Sequence, residues 1–386
     1  MSQLPPTAQV VVIGGGVMGT STAYHLALRG VRDVVLLESR PFFGQGATGK
    51  CAGGIRHQFS TEINIRLSQI SLPMLDRFEE ETGQAIDLRH CGYLILLTKE
   101  ADVETFRHNI DLQHELGVPT EWLDNAAVRD RVPLITADDV LGASYYGEDG
   151  LADPNGVVAG YVSAARRLGV RTLTDTPVTD IHVDHDRIVA VEIPDGRIAC
   201  DTAVIAAGPW SGVVGKMAGI DLPVKPVRRQ IVTTTRLPDL PPDFPFVIDF
   251  AQSLYFHPEG EGLLTGMSNS GQPPGFDESV DEDWELIHME AAIERLPLLE
   301  KAGRQSHWAG LYEVTPDAHP IIGRIDGIDG LVAVTGFSGH GFMHGPVAGL
   351  LTAEIILDGE AHTLDISSLG FERFAKGELI SEYNVI

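Results

Sequence analysis

Gly14, Gly16 and Gly19 stand at GxGxxG spacing directly behind the apolar run 10–13, and Glu38 closes the next apolar run, 34–37. Each residue type has a physical use in that pattern. Gly14 permits a tight turn, Gly16 lets a pyrophosphate approach the backbone, and Gly19 lets the following helix pack closely on its strand. The start of that helix, with Val17 and Met18 in its first turn, points amide groups at phosphates. Glu38, with Ser39 beside it, accepts a hydrogen bond from a ribose hydroxyl, and an acid at this place disfavours a ribose phosphate. A chance glycine cluster would lack the flanking strands and the acid, so the order strand, turn, helix, strand, acid reads as a dinucleotide site.

A second glycine turn lies near the far end. Residues 331–334 read as a strand that runs into Thr335-Gly336-Phe337-Ser338-Gly339-His340-Gly341-Phe342, and a helix is expected to open near Met343 or Pro346 and to reach Gly359. Two helix N-termini behind two such turns suit a cofactor with a nucleotide at one end and a ring system at the other. The second helix end would offset negative charge on a reduced ring by ~0.3–1 kcal/mol. Between the turns, residues 41–54 hold five glycines and Thr48, and can wrap an extended cofactor with backbone amides. The strand 203–205 runs into Ala206-Ala207-Gly208-Pro209-Trp210, whose small residues either admit a ligand to the backbone or mark an ordinary strand exit.

Side chains suited to a substrate are fewer. Arg56 follows the glycine loop; its guanidinium matches a carboxylate in bidentate geometry, so it reads as a carboxylate or flavin contact, and the competing reading is a structural salt bridge. His57 reads as a polar contact neighbouring Arg56 or, more simply, as a surface or satisfied histidine. Tyr255 and His257 share one side of a strand, where they either meet a bound ring or fill ordinary sheet positions. One of Arg228 and Arg229 supports a cofactor, or both face solvent. His319 is a turn residue or a ring-side contact, and His340 offers its amide as much as its ring. No HExxH, paired-cysteine or EF-hand pattern points to a metal, and no side chain stands out as a general base.

Positioning these groups takes a parallel sheet with helices. The four β-branched residues 10–13 suit a central buried strand, and Met18, Thr22, His25, Leu26 and Arg29 repeat with helical spacing up to Gly30. Further helices are expected over 63–75, 101–116 and 157–168, and strands over 94–97, 172–173, 178–181, 188–193 and 203–205. From 223 to 306 the pattern changes to alternation at 229–232 and 254–257, proline-rich turns at 238–245 and an acidic helix over 281–294, which predicts antiparallel strands with a helix. The expected fold class is α/β: a Rossmann-like, discontinuous cofactor domain from 1–82, 144–222 and 307–386, with an inserted antiparallel-sheet α+β substrate domain from 83–143 and 223–306.

With 28 basic and 54 acidic residues among 386, the net charge is −26, which disfavours nucleic acid or an anionic membrane as the main partner. Apolar residues, at 43%, supply packed cores. Cys51, Cys91 and Cys200 are too scattered for a disulfide scaffold, and a reducing compartment is expected. The opening residues carry neither a secretory pattern nor a membrane span, so a cytoplasmic protein is expected.

Together, Gly14 to Gly19 with Glu38, GATGKCAGGIRHQF at 46–59, AAGPW at 206–210, YEVTPDAHPIIG at 312–323 and TGFSGHGFMHGP at 335–346 resemble the FAD-dependent amino-acid oxidoreductases. This is the superfamily of D-amino-acid oxidase, glycine oxidase and sarcosine oxidase; within it the chain resembles the beta subunits of heteromeric sarcosine oxidase and archaeal L-proline dehydrogenase. The resemblance implies FAD with its adenine end on 14–38. It places Thr48, Cys51, Ala52 and Gly53 against the pyrophosphate and flavin, and Val178 near the adenine. Ala207 and Gly208 would lie beside the cofactor, and Gly336, Gly339, His340, Gly341 and Phe342 at the flavin's pyrimidine edge. A small amine-bearing acid would lie over the ring and lose a hydride from the carbon next to nitrogen, leaving an imine that water hydrolyses. Tyr312 resembles a substrate-site tyrosine, against a role in core packing.

Two departures matter. Relatives that bind flavin covalently use a cysteine where this chain has Gly310, so the FAD is expected to be non-covalent. A lysine that activates oxygen and one that binds substrate carboxylate are replaced in the regions 263–266 and Met343. The electron acceptor is then oxygen or another redox carrier. The first reading is oxidation of the C–N bond of a sarcosine- or proline-like amino acid. The alternatives are an oxygen-using D-amino-acid or glycine-type oxidase, and an electron-transfer subunit without a substrate of its own. A second copy or a partner subunit is compatible with each.

Overall fold

Strand Thr7–Ile13 is central because both of its faces are apolar. Val10 and Val12 pack under helices on one side, and Val11 and Ile13 contribute to a separate core on the other. In the computed structural model, which describes residues 5–385, it sits in the middle of an eight-stranded sheet. It pairs in parallel with Val34–Leu37 and Gly196–Ile205. Those strands pair in parallel with Arg171–Leu173 and Leu331–Thr335, and Ile321–Arg324 closes one edge antiparallel. Asp180–Asp184 and Arg187–Ile193 form an antiparallel meander with Gly196–Ile205. The expected strand 178–181 therefore moves: pairing begins at Asp180, and Val178 lies in the preceding loop.

Helix Val17–Leu28 leaves the first strand, and Gly30 ends it in the left-handed conformation (φ 93°), with the Gly30 and Val31 amides donating to the Ala27 and Leu26 carbonyls. Helix Gly341–Asp358 crosses it at close range. A Cβ on Gly345 would run into the Val17 side chain, and one on Gly349 into Ser21. This second helix opens ahead of the expected Met343, because Ser338 (φ 51°) and Gly339 (φ 104°) complete the turn early.

The second sheet also has eight strands, in the order Arg304–Val314, Lys225–Thr234, Gly262–Met267, Leu254–Glu259, Phe246–Asp249, Tyr93–Leu97, Gly142–Tyr146 and Glu121–Leu123. Its neighbours are antiparallel except for Phe246–Asp249 beside Tyr93–Leu97. Two of its strands run across the expected boundaries at 143/144 and 306/307. Gly142–Tyr146 is laddered to Tyr93–Leu97, and Arg304–Val314 to Lys225–Thr234, so both lie wholly in this sheet. One face buries Leu94, Leu96, Val247 and Phe256 with residues of helices Asn125–Arg131 and Glu282–Arg295. The other carries Tyr93, Ile95, Ile231, Phe246, Ile248 and Tyr255. No described helix is long and apolar enough to cross a membrane.

Candidate active site

The strand ends of the first sheet and that second face of the other enclose a cavity of about 410 Å³. Ile13, Leu37 and Ala206 close it from the first sheet; Tyr93, Ile231, Phe246, Ile248 and Tyr255 close it from the second. This is the crevice outside the carboxyl ends of parallel strands where such sheets bind ligands.

At one end the glycine turn is built as its residue types require. A Cβ on Gly14 would collide with the Ala206 carbonyl, and one on Gly19 with the Gly14 carbonyl, while Gly16 faces only Thr48 Oγ1 at 3.2 Å. Gly16, Val17 and Met18 line the cavity; Gly19 lies behind it and serves the packing of helix on strand. Glu38 accepts from the Gly15 amide at 2.8 Å through one oxygen, and from the Arg40 amide (2.8 Å) and Ser39 hydroxyl (3.2 Å) through the other. That locks the carboxylate beside the turn and leaves lone pairs for a hydroxyl. Ser39 and Val178 line the same end.

Along the middle run Thr48, Cys51, Ala52 and Gly53 from one side, and Ala207 and Gly208 from the other. The Thr48 hydroxyl accepts from the Val17 amide at 3.1 Å, tying the glycine loop to the helix start. Burial pushes the Cys51 thiol up to about 11, so it stays protonated. Arg40 and Lys50 both reach Glu278, at 2.7 and 2.8 Å.

At the far turn Gly339, His340, Gly341 and Phe342 line the cavity, whereas Gly336 (φ 83°) packs onto Thr315 behind it. His340 is buried with both ring nitrogens unpartnered among the described residues, and burial, then His344, holds it well below the ordinary imidazole value. A neutral ring with free hydrogen-bonding capacity results.

Tyr255, Tyr312 and Arg56 are brought together on the cavity wall, joined by Arg229. His257 is not. It shares the strand face with Tyr255, but its ring stacks on Phe246 (4.9 Å) outside the lining, and its Nδ1 meets the Pro258 carbonyl at 2.9 Å. Arg56 lines the cavity but is already engaged: its guanidinium donates to the Gln58 and Asn384 carbonyls and lies 3.9 Å from the centre of the Phe59 ring. Among the described residues Arg56 forms no salt bridge, so that reading fails, while its place on the lining allows a ligand contact in geometry. Arg228 takes the nearby carboxylates, Asp277 at 2.9 Å and Asp281 at 3.3 Å. Arg229 has none among the described residues. Its Nη1 donates to the Arg228 carbonyl at 3.1 Å, its Nε is buried without a partner, and its guanidinium sits 5.1 Å from the Tyr312 ring centre. Burial raises the phenols of Tyr255, far above its ordinary value, and of Tyr312, which makes them donors rather than bases.

Sequence reasoning left Arg229 undecided and passed over Tyr93 and Val385, which also line the cavity. The signal for Arg229 was its alternation with Gln230, which puts it on one face with Ile231.

Residues 9–355 match the family model described as FAD dependent oxidoreductase. The chain belongs to that family. This FAD-dependent oxidoreductase is 33% identical to the mitochondrial dimethylglycine dehydrogenase of Rattus norvegicus over 389 residues, covering 96% of this chain and 45% of that one. It is 33% identical to the mitochondrial sarcosine dehydrogenase of Homo sapiens over 384 residues, 94% of this chain and 41% of that one. The chain thus spans under half the length of these relatives. Among solved structures, the L-proline dehydrogenase of P. horikoshii superposes with a TM-score of 0.91 at 32% identity, covering 97% of this chain and 100% of that one. The glycine oxidase of Geobacillus kaustophilus follows the same course at 0.86 and 26% identity, over 95% of this chain and 99% of that one. The cavity fits the family's cofactor: backbone without side chains at Gly14 and Gly16, a locked Glu38 at one end, and a second helix start at the other.

Proposed function

We propose that this flavoprotein oxidises the C–N bond of a small secondary or N-methylated amino acid, sarcosine- or proline-like, to an imine. One observation carries the reading: Arg229, a cation without a carboxylate partner among the described residues, lines the same cavity as the two glycine turns. A half-buried guanidinium whose Nε has lost water without gaining a counter-charge is unfavourable, and an incoming carboxylate supplies the missing partner. In a chain of net charge −26, Arg40 and Lys50 on the lining are paired with Glu278, whereas Arg56 and Arg229 bring positive charge that no carboxylate pairs with among the described residues and that attracts anions. The names of the relatives, which act on dimethylglycine, sarcosine and proline, support the same substrate class.

FAD, when bound, supplies the two-electron oxidant. Arg229 holds the substrate carboxylate, with Tyr312 beneath the guanidinium and Tyr255 as a neighbouring donor, so that the carbon beside nitrogen is presented in one orientation. The amine reacts as the free base: its lone pair forms the C=N bond as hydride departs, and water then cleaves the imine to amine and carbonyl compound. The cofactor contacts proposed are those of the lining, and the chain divides into a cofactor domain and a substrate domain that includes strands Gly142–Tyr146 and Arg304–Val314. A cytoplasmic setting fits the three free cysteines.

FAD is held non-covalently in this reading, since Gly310 offers no thiol and the Cys51 thiol is kept protonated by burial. Acid precipitation is expected to leave flavin in the supernatant; flavin that stays with the denatured chain refutes this. Leu263 and Leu264 are buried, and Met343 lines the cavity, where the resemblance puts lysines. The replacement at 263–266 favours a carrier other than oxygen, and the one at Met343 leaves the carboxylate to an arginine. The deciding experiment is anaerobic addition of sarcosine, dimethylglycine, D- and L-proline and glycine to the holoprotein. Bleaching by a secondary or N-methylated amino acid is expected, followed by faster reoxidation with dye than with oxygen. If none of them bleaches the flavin, the proposed activity is wrong.

A further inference from the structure

We infer that the segment Glu382–Val385 is a wall of the substrate chamber, fastened so that it orients Arg56 and limits substrate size; the inference rests on the substrate class proposed above. Val385 lines the cavity along with Arg56, Tyr93 and His340. What holds it there is an unusual anchor. Glu382 is 6% exposed, and its carboxylate accepts from five donors, none of them a cation. Ser60 supplies its amide (2.7 Å) and hydroxyl (2.5 Å), Thr61 its hydroxyl (2.7 Å), Asn64 its side-chain amide (2.9 Å) and Asn384 its backbone amide (3.0 Å). A carboxylate saturated in this way has one position, and a carboxamide would turn a donor toward donors.

The next two residues spread the attachment. The Tyr383 hydroxyl donates to Asp102 at 2.7 Å on helix Glu100–Glu115, and its ring packs on Phe250 at 5.4 Å. Asn384 accepts from Asn109 of the same helix at 3.1 Å and donates to the Gln58 carbonyl at 3.2 Å. Its backbone carbonyl accepts from the Arg56 guanidinium, whose other bond goes to Gln58 and whose face meets the Phe59 ring. The segment therefore joins the loop behind the glycine turn to the second sheet's helix, and supplies one of the two acceptors that point Arg56. With the anchor made, the Val385 side chain is held against the cavity as a fixed bumper.

The test uses the holoprotein with Val385→Ala, Val385→Phe and Glu382→Gln. Two readouts are taken: dissociation constants for inert carboxylic acids of graded bulk, from the perturbation of flavin absorbance, and kcat and KM for substrates of graded bulk. Val385→Phe is expected to weaken each larger ligand by about tenfold per methylene it excludes while leaving the smallest within about twofold. Val385→Ala is expected to shift the preference the other way, and Glu382→Gln to flatten size discrimination while FAD content stays unchanged. If the Val385 variants change all ligands by one common factor, or none, the wall is refuted, whatever the fate of the Glu382 variant. Absence of flavin reduction by any amino acid would sink the proposed activity instead, and the inert-acid series would still decide the wall.

Discussion

Arg56 and Arg229 bring the same charge to one cavity and end in opposite states. Arg56 is bonded to two carbonyls and covered by a ring, whereas Arg229 keeps a buried Nε with no partner among the described residues. Their substitution should therefore separate binding from stability. Arg229→Met is expected to weaken carboxylate ligands by ~2–5 kcal/mol. Its denaturant midpoint should hold or rise, because a half-buried charge with an unpartnered Nε is gone. Arg56→Met is expected to lower stability by ~1–3 kcal/mol, since the Gln58 and Asn384 carbonyls lose their donor. Ligand titration and urea unfolding of the two variants check this, and the reverse pattern would exchange their roles. The tight glycine turn and the carboxylate beside it were legible in the sequence at this scale, because Gly14, Gly16 and Glu38 act through backbone and short-range geometry. Arg229 was not: alternation says which residues share its face, and only the packing of one sheet over the other says that this face meets the cavity.

Among elements, the crossing of helices Val17–Leu28 and Gly341–Asp358 sets where both helix starts lie. Gly349 has the Ser21 side chain and the Ser21 carbonyl carbon where a Cβ would go, and backbone cannot swing aside as a side chain can. Gly349→Val is expected to cost ~1–3 kcal/mol or more and to weaken FAD binding through displacement of the second helix start. Unfolding and flavin titration measure both; retained affinity would mean that the crossing does not position the cofactor. The segment carrying Glu278 reaches Arg40 and Lys50 on the cavity wall through pairs that are 23–28% exposed. Such pairs contribute ~0–1 kcal/mol. Glu278→Ala should leave global stability nearly unchanged while speeding flavin release, and unchanged release would remove that segment from cofactor retention. Both helices could be foreseen from apolar spacing, but the early start at Gly341 depends on the left-handed Ser338, which no periodicity reports. The choice of sheet for strands 142–146 and 304–314 has the same origin, because it shows only when their partners are known.

For the molecule as a whole, burial holds His25, His257 and His288 down to about 4 and His344 to about 3. Between the ordinary histidine value near ~6.5 and about 4, the unfolded chain binds protons that the native state refuses. Stability from these groups is complete above ~6.5 and falls as pH drops, by ~1.4 kcal/mol per unit for each histidine. Carboxylates lowered by their partners, such as Asp317 with Arg373, add a loss of the same sign at still lower pH. Glu313, raised by burial, works the other way, as does relief of mutual repulsion in a chain of charge −26. The histidine effect is expected to dominate, so melting temperature should fall steadily from pH 7 to 5, and His288→Gln should make the fall shallower. A melting temperature that climbs on acidification would show that charge repulsion governs instead.

The cofactor end of the protein could be read from residues in order along the chain, because a turn, a helix start and an acid at the end of the next strand are local matters of spacing and backbone freedom. The opposite wall could not, because 229 and 312 meet only across an antiparallel ladder between strands far apart in the chain, and 56 and 385 only through a returning segment; long-range contacts of that kind leave no period in the sequence.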